Sequence, residues 1–269
     1  MTDDSESAST TPAVDTKVPH SARVWNYWLG GKDHFAADRA IGEQVRQIFP
    51  QIVLNARAQR DFLSRVVRYL GGDLRIRQFL DVGTGLPTAG NTHEIAQQVS
   101  PDCRVVYVDN DPIVLAHARA LLTSVPAGTI DYINADLHDP DQIVQGAART
   151  LDFNRPTALM LLGILGHIGD RDEATSIVNR LVEVLSPGSY LVVADGANVD
   201  EAGNEAQRRY NEAAPVPYHL RSPEEISAFF TGVDVLEPGV VAVSKWRPDP
   251  DAADELAGTA VFGGVARKS

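Results

Sequence analysis

The sequence predicts an α/β fold in which a mostly parallel sheet carries helices on both faces. Between residues 78 and 194, short apolar runs alternate with longer segments whose apolar residues recur every three or four positions. The runs have the length of strands, and the segments between them have the length of crossover helices. Because each pair of parallel strands needs such a crossover, helices should cover the sheet on both sides.

Composition and local pattern divide the chain into three parts. Residues 1–17 are rich in Ser, Thr, Asp and Ala without an apolar period, so we predict a disordered tail. Residues 18–72 are predicted as an N-terminal helical cap, and residues 73–269 as the α/β domain. With 43% apolar residues in 269, the chain can bury a core of ordinary size.

The cap opens with an aromatic-dense segment. Trp25, Tyr27 and Trp28 fall within four positions, and Gly-Gly-Lys32-Asp33 follows shortly after. One interpretation is a helix held to the core by its tryptophans and ended by the two glycines. The other is a lid in which the aromatic side chains, Lys32 and Asp33 close a ligand pocket. The residues by themselves leave both interpretations open.

Two further helices are predicted in the cap, at residues 38–49 and 52–70. In the second, apolar residues recur at spacings of three and four on one face. Asn55, Arg57 and Arg60 fall on its more polar side, where we expect most of them to face water.

Regular βα pairs follow the cap. The predicted strands lie at residues 78–82, 104–109, 130–134, 158–162 and 190–194, and the predicted helices at 91–99, 112–122, 140–148 and 171–185. Right-handed crossovers then give a doubly wound sheet as the default topology.

The last part of the chain departs from this alternation. A polar helix is predicted at residues 201–214, and Ser222-Pro223-Glu224-Glu225 has the pattern that starts another helix. Apolar runs at 233–236 and 240–246 are predicted to pair, and 260–266 forms a last strand. A hairpin that includes an antiparallel strand therefore extends the five parallel strands.

The turn after the first strand carries the main chemical signal. Asp81-Val82-Gly83-Thr84-Gly85 joins a carboxylate at a strand end to two glycines, which permit a sharp turn and the close approach of a ligand. A dinucleotide site would have a third glycine where Thr88 stands. Asp81 would repel a pyrophosphate, but it suits the cationic amino-acid part of S-adenosyl-methionine, which carries no phosphate.

Two more carboxylates stand at the ends of neighbouring strands. Asp109 follows the second strand and can accept hydrogen bonds from both hydroxyls of a ribose. Asp136 follows the third strand and can accept from an adenine amine, with Leu137 beside the ring. Each Asp could also be a helix cap or a solvated turn residue, but three aligned carboxylates favour a nucleoside site.

The fourth strand runs into residues 163–170, which contain three glycines and a histidine. Gly163 is predicted to lie under the reactive group of the cofactor, at the carboxyl end of the strand. His167 is a candidate general base, although a structural histidine explains the residue equally well. A base is needed only if the acceptor must lose a proton.

Several functional classes are disfavoured. The formal charge of −12 opposes binding of nucleic acid, and no HExxH or CxxC motif predicts a metal site. The one cysteine, Cys103, is predicted as a buried structural thiol. No apolar stretch is long enough for a membrane span and no signal peptide is evident, so we expect a cytoplasmic protein. The oligomeric state is not predicted.

Longer motifs resemble one protein family. Residues 81–85, Asp109 and Asp136 resemble the motif series of class I S-adenosyl-methionine-dependent methyltransferases. The match is closer to an actinobacterial family formerly described as a domain of unknown function, through the motifs at 21–35, 79–88, 161–168 and 221–226. This resemblance covers nearly the whole chain from about residue 18. It implies a Rossmann-like methyltransferase with a seven-stranded sheet and a cap that contributes to the cofactor pocket.

The resemblance also implies a set of cofactor-binding residues. Asp81, Gly83, Thr84 and Gly85 would form the loop at the methionine end. The ribose and adenine contacts would come from Asp109, Asn110, Asp136 and Leu137, and the cap contacts from Tyr27, Lys32 and Asp33.

The resulting prediction is a methyltransferase of secondary metabolism that acts on an unidentified small molecule. The alternative is a regulatory or scaffold protein that binds S-adenosyl-methionine without turnover, because no residue is an assured catalytic base. A nicotinamide-dependent oxidoreductase is a third hypothesis, disfavoured by the missing third glycine.

Overall fold

The computed structural model describes residues 15–88, 90–114, 116, 128–249 and 258–269. Within them, three helices come first: α1 (Ser21–Trp28), α2 (Ala36–Ile48) and α3 (Ile52–Arg68), with a π-helical turn at Tyr69–Asp73. Helix α1 ends as the first interpretation of the aromatic segment predicts. Gly30 follows it with a φ of 79°, a left-handed conformation that glycine adopts without strain.

The remaining elements match the predicted alternation closely. They are β1 (Gln78–Val82), α4 (Thr92–Val99), β2 (Arg104–Asp109), β3 (Thr129–Asn134), α5 (Pro140–Ala147), β4 (Ala158–Leu162), α6 (Arg171–Glu183), β5 (Tyr190–Gly196), α7 (Glu201–Ala213), α8 (Pro223–Ala228), β6 (Asp234–Val235), β7 (Val241–Ala242) and β8 (Val261–Arg267). The predicted helix at 112–122 and the predicted tail fall largely outside the described residues.

The strands form one sheet in the order β3-β2-β1-β4-β5-β8, with β6 and β7 both beside β8. Strands β1 to β5 are parallel, and β8 runs antiparallel to β5. Because β6 and β7 pair with different parts of β8, they share one position, and the sheet is seven positions wide. The mostly parallel sheet is confirmed, but the described residues form eight strands instead of the predicted seven, because two short strands lie beside β8.

One detail of the predicted ending is wrong. The runs at 233–236 and 240–246 do not pair with each other, because each pairs with β8. The long strand β8 offers both short strands an open edge. The second run also leaves the sheet after Ala242, where a 3-10 turn at Val243–Lys245 begins.

Helix α3 belongs to the core of the sheet although it lies in the predicted cap. Its buried side chains Phe62, Val66 and Val67 share one apolar cluster with Phe79 of β1 and Met160 of β4. The opposite face of the sheet is covered by α5, α6 and α8. The buried thiol of Cys103 also lies in the α3 cluster, and burial raises its pKa to about 11.

Helices α1 and α2 form a smaller cluster above the carboxyl ends of the strands. Val24, Ile41, Val45 and Phe49 pack there against Tyr210 and its neighbours on α7. This cluster is the upper wall of the cavity described below.

Residues 15–17, which were assigned to the tail, are tied to α1. The buried guanidinium of Arg23 donates to the carbonyls of Asp15 at 3.2 Å and Val18 at 2.7 Å. Among the described residues, no helix combines the length and apolar character that a membrane crossing requires.

The packing of α3 on the sheet predicts a large stability effect at Phe62. The side chain is fully buried against Trp246, with ring centroids 5.5 Å apart. Phe62→Ala should lower the free energy of unfolding by about 3–5 kcal/mol, because it removes apolar contacts and leaves a cavity. Urea unfolding followed by circular dichroism measures this change.

The matched control is Arg57→Ala, which alters an exposed position on the same helix and should change stability by less than about 0.5 kcal/mol. If both variants unfolded at the wild-type urea midpoint, α3 would not be part of the sheet's core.

Candidate functional site

A cavity of about 410 Å³ lies at the carboxyl ends of β1, β2 and β4. These strands surround the point where the chain leaves β3 and crosses back to β4, which is where open α/β sheets bind ligands. Cap helices, α7 and the segment 215–220 complete the walls. Of the twelve predicted cofactor contacts and the candidate base, ten line this cavity: Asp81, Gly83, Thr84, Gly85, Asp109, Asn110, Asp136, Leu137, Gly163 and His167.

The turn after β1 is fixed by both sterics and hydrogen bonds. Gly83 has a φ of 75°, and a Cβ at this position would lie 2.5 Å from the side chain of Ile164. The backbone N–H of Gly83 donates to the carbonyl of Val108 at 2.8 Å, and that of Gly85 donates to Asp109 at 2.8 Å. The first loop is therefore tied to the end of β2.

Asp81 is a buried carboxylate, only 4% exposed. One oxygen accepts a hydrogen bond from the hydroxyl of Thr92 at 2.6 Å, and the other has no hydrogen-bond partner among the described residues. Burial raises the pKa of Asp81 to about 6, although the bond from Thr92 and the charge of Arg60 oppose this rise. At neutral pH the group is ionised and suited to a cationic ligand.

Asp109 forms the centre of the site. One oxygen accepts from the backbone of Gly85, and the other accepts from the backbone of Asp111 at 3.0 Å. Burial raises the pKa of Asp109, while the two backbone donors oppose the shift. Because each carboxylate oxygen has two lone pairs, both can still accept a hydrogen bond from a ligand.

Asp136 marks the edge of the cavity and is half exposed. It accepts hydrogen bonds from Asn110 at 3.0 Å and from the ring of His138 at 2.6 Å. Burial pushes the pKa of Asp136 upward, but hydrogen bonds from His138 and Asn110 outweigh it and hold the pKa below its usual value. Leu137 is buried beside it and provides an apolar contact.

Most of the residues Asn55, Arg57 and Arg60 are expected to face water, but only Arg57 is exposed, and Arg60 lines the cavity. Its side chain enters the cavity, where Nη2 donates to the carbonyl of Gly90 at 3.0 Å and to Asn91 at 3.2 Å. Among the described residues, neither its buried Nε atom nor the buried hydroxyl of Thr88 has a hydrogen-bond partner. Both residues line the same cavity as Asp81.

Helix α3 contributes two more polar residues to the cavity lining, Asn55 and Gln59. Asn55 was predicted on the polar side of the helix, and Gln59 was not among the predicted site residues. Asn55 is buried and accepts from the backbone of Ala260 at 3.0 Å, whereas Arg57 is exposed as expected. Gln59 is 7% exposed, and its amide nitrogen lies 2.7 Å from the place a Cβ on Gly163 would take. The available signal was their spacing, because Asn55 and Gln59 stand four apart within the apolar stripe.

His167 is held in a defined orientation. Its Nδ1 atom lies 3.0 Å from the carbonyl oxygen of Pro217, and its ring meets that of Tyr218 edge-on at 5.1 Å. Burial lowers the pKa of His167. The 3-10 turn at Leu165–His167 is fixed from below by Arg221, whose guanidinium donates to the carbonyls of Leu165 and Ile168.

Tyr218 anchors the segment that closes the cavity. Its hydroxyl donates to the buried carboxylate of Asp195 at the end of β5 and accepts from the backbone of Gly196 at 3.1 Å. Burial raises the pKa of Asp195 to about 6. Neither residue was predicted as part of the site, because the two lie 23 positions apart on different elements.

The aromatic segment contributes different residues from those expected. Trp25, Trp28 and Leu29 line the cavity, whereas Tyr27 turns away and donates from its hydroxyl to Glu43 at 2.9 Å. Positions three and four apart share one face of a helix, so Tyr27 cannot point with the two tryptophans.

Lys32 and Asp33 also lie outside the cavity lining. Both are exposed in the turn after α1, where the backbone N–H of Asp33 donates to Asn26 at 3.0 Å. The structure therefore gives the three predicted cap residues positions outside the cofactor site.

The described residues contain no cluster of three or more His, Cys, Asp or Glu side chains that could hold a metal ion. The described lining instead contains three carboxylates, one arginine and three histidines (His20, His138 and His167) around an aromatic-walled cavity. Such a set suits a nucleoside joined to a charged amino acid.

Comparison with known proteins agrees with this chemistry. A family model described as S-adenosyl methyltransferase matches residues 7–269. A solved DUF574 family protein from Streptomyces avermitilis is 42% identical, covers 96% of this chain and all of its own, and superposes with a TM-score of 0.91. A predicted methyltransferase from Thermobifida fusca is 39% identical over 98% of this chain and 100% of its own, with a TM-score of 0.88.

A more distant curated relative has a derivative of S-adenosyl-methionine in its name. Carboxy-S-adenosyl-L-methionine synthase of Klebsiella pneumoniae is 22% identical over 173 residues, which cover 61% of this chain. The match spans 63% of the length of that relative. Because the family model matches nearly the whole chain, the protein belongs to the S-adenosyl methyltransferase family, whose cofactor is S-adenosyl-L-methionine.

Proposed function

We propose that this protein transfers the methyl group of S-adenosyl-methionine to a small-molecule acceptor. The observation that carries the proposal is the pair of opposite charges at the end of β1. Asp81 is a buried anion, and Arg60 is a cation that lines the same cavity and whose Nε has no partner among the described residues. An amino acid zwitterion is complementary to this pair, because its ammonium suits Asp81 and its carboxylate suits Arg60.

The residues along the cavity fit the rest of the molecule. Thr88 can add a hydroxyl donor for the carboxylate. Asp109 has free lone pairs for the ribose hydroxyls, and Asp136 and Leu137 provide the polar and apolar contacts for adenine. When bound, S-adenosyl-methionine supplies an electrophilic methyl group on a sulfonium. A pyrophosphate would instead meet the carboxylate of Asp81, which disfavours nicotinamide cofactors.

The walls of the cavity support a small-molecule acceptor. The cap and the segment 215–220 cover the ends of the strands, and the chain has 36 acidic against 24 basic residues. That balance opposes a nucleic-acid backbone. A cytoplasmic location and a role in secondary metabolism stay predictions.

Membership of a methyltransferase family favours an enzyme over the non-catalytic alternative. The two hypotheses differ in one measurement, which is the release of S-adenosyl-homocysteine with a panel of acceptors. A binding protein would release none at any enzyme concentration.

Arg60 provides the sharpest test of the cofactor site. Arg60→Met should weaken binding of S-adenosyl-homocysteine by about 10- to 150-fold, because a carboxylate loses a charged partner worth roughly 1.5–3 kcal/mol. Isothermal titration calorimetry measures the dissociation constant.

The matched control is Arg57→Met, one turn earlier and exposed, which should bind like the wild type. Arg60→Lys keeps the charge and should recover part of the affinity. Wild-type affinity in Arg60→Met would refute the proposed carboxylate contact.

The raised pKa of Asp81 predicts a pH window for binding. The ligand's ammonium requires ionised Asp81, so affinity should fall as pH drops through the folded pKa of about 6, by about tenfold between pH 7 and pH 5. Above about pH 8 the ligand amine loses its proton, and affinity should fall again. Calorimetry with S-adenosyl-homocysteine across this range gives the profile.

The Asp81→Asn variant should bind S-adenosyl-homocysteine weakly, and its affinity should no longer fall between pH 7 and pH 5. Equal affinity of the wild-type protein at pH 5 and pH 7 would show that Asp81 does not hold the ammonium.

A further inference from the structure

We propose that the methyl acceptor is an uncharged, ring-containing compound with a hydroxyl group, and that Nε2 of His167 takes the proton of that hydroxyl. This inference rests on the proposed methyl transfer and adds the chemical class of the acceptor.

The first observation is the charge of the cavity beyond the cofactor residues. The part of the lining that comes from the end of α2, from α7 and from the segment 215–220 is called the acceptor chamber. Its residues are Val45, Phe49, Gly203, Ala206, Gln207, Tyr210, Pro215, Val216, Tyr218 and Leu220. In this described set there is no Asp, Glu, Lys, Arg or His. The three described carboxylates of the lining, and Arg60, belong to the cofactor end.

A chamber without formal charges selects against charged acceptors. A carboxylate would need a cation beside it, and an alkylammonium would need an anion, because burial of an unpaired charge costs several kcal/mol. Two buried carboxylates near the chamber, Asp38 and Asp195, lie outside the cavity lining, and Asp195 accepts a hydrogen bond from the hydroxyl of Tyr218. The aromatic and apolar walls of the chamber favour an acceptor with a flat and largely apolar ring.

The second observation is the orientation of His167. A carbonyl oxygen can only accept a hydrogen bond, so the 3.0 Å contact with Pro217 requires that Nδ1 carry the proton. In the neutral ring, Nε2 then has a free lone pair. His167 lines the same cavity, so this nitrogen is available to a ligand there.

The groups around His167 keep its ring neutral. Burial is the main cause that lowers the pKa of His167, and the neighbouring His20 and His219 lower it further, whereas the contact with the Pro217 carbonyl raises it. The rings of Tyr218 and His167 are in edge contact. The guanidinium of Arg221 donates to the carbonyl oxygen of Leu165 in the turn that carries His167. A neutral imidazole near physiological pH is in the form that accepts a proton.

The third observation is an unpaired amide between the two ends of the cavity. Gln59 is buried against Gly163, and its amide has no hydrogen-bond partner among the described residues. Because Gln59 lines the cavity, this amide can donate hydrogen bonds to a ligand and accept them from it. Gln59 can therefore position the acceptor's oxygen.

A hydroxyl is the acceptor group that requires such a base, because its oxygen is weakly nucleophilic until its proton leaves. In the methyl-transfer step, an electron pair of the hydroxyl oxygen forms the new bond to the methyl carbon. The electron pair of the broken carbon–sulfur bond goes to the sulfur atom. The hydroxyl proton moves to Nε2 of His167, which later releases it to water. The products are a methyl ether and S-adenosyl-homocysteine.

Three probes of one shape test the acceptor class: 2-naphthol, 2-naphthoate and 2-naphthylmethylammonium. Their dissociation constants would be measured by calorimetry at pH 7 with saturating S-adenosyl-homocysteine. The neutral probe should bind at least about tenfold more tightly than either charged one, since each charge must be desolvated without a partner. Equal or tighter binding of a charged probe overturns the proposal, and so does failure of 2-naphthol to bind.

The role of His167 is tested with His167→Asn, whose amide can still donate to Pro217 but lacks Nε2. The absorbance of bound 2-naphthol reports its ionisation. Its titration midpoint should be higher in the wild type than in His167→Asn, because the neutral Nε2 accepts a hydrogen bond from the un-ionised hydroxyl and so favours the un-ionised form. The same midpoint in both proteins overturns the proposal.

Two controls separate the possible failures. His34→Asn changes a histidine that lies outside the cavity lining and is not among the groups that shift the pKa of His167, so it should leave the midpoint unchanged. Nitrogen chemical shifts of the His167 ring should report the Nδ1-protonated tautomer, and the Nε2-protonated form would contradict the assignment. Binding of S-adenosyl-homocysteine is measured in every variant, so loss of the cofactor site is distinguished from a wrong acceptor class.

Discussion

The packing of α3 across the sheet is the constraint on which the site depends. Phe62, Val66 and Val67 bury one face of the helix against β1 and β4. Because the helix is rigid, its first turns must then stand above the carboxyl ends of those strands. Gln59 and Arg60 reach the cavity for this reason, although nothing in their immediate sequence marks them as ligand contacts. A helix of the cap thus completes a site that the strands begin.

The two ends of the cavity differ in the charged side chains that line them. At the cofactor end, Asp81, Asp109 and Arg60 are held in a poorly solvated space, and burial shifts the pKa of each carboxylate upward. Such groups are costly to bury without partners, and a zwitterionic ligand offsets that cost. Discrimination against phosphate-containing cofactors follows from the same anion, because the loop that admits the ligand begins with Asp81.

The acceptor end is organised by hydrogen bonds that connect several elements of the fold. Arg221 holds the turn that carries His167, while Tyr218 bridges Asp195 and the edge of the imidazole ring. These bonds connect β4, β5 and the segment 215–220, so the position of His167 depends on three separate elements. Binding groups held by packed neighbours need little rearrangement when a ligand arrives.

The sequence by itself determined the alternation of strands and helices, the parallel order of β1 to β5 and the line of Asp81, Asp109 and Asp136. These features depend on local periodicity and on strand ends, which meet at one edge of a parallel sheet. The tertiary structure decided that Tyr27, Lys32 and Asp33 lie outside the cavity, that β6 and β7 both pair with β8, and that Arg60 faces inward. Such outcomes depend on how one element rotates against another, and contacts between residues far apart in the chain determine that rotation.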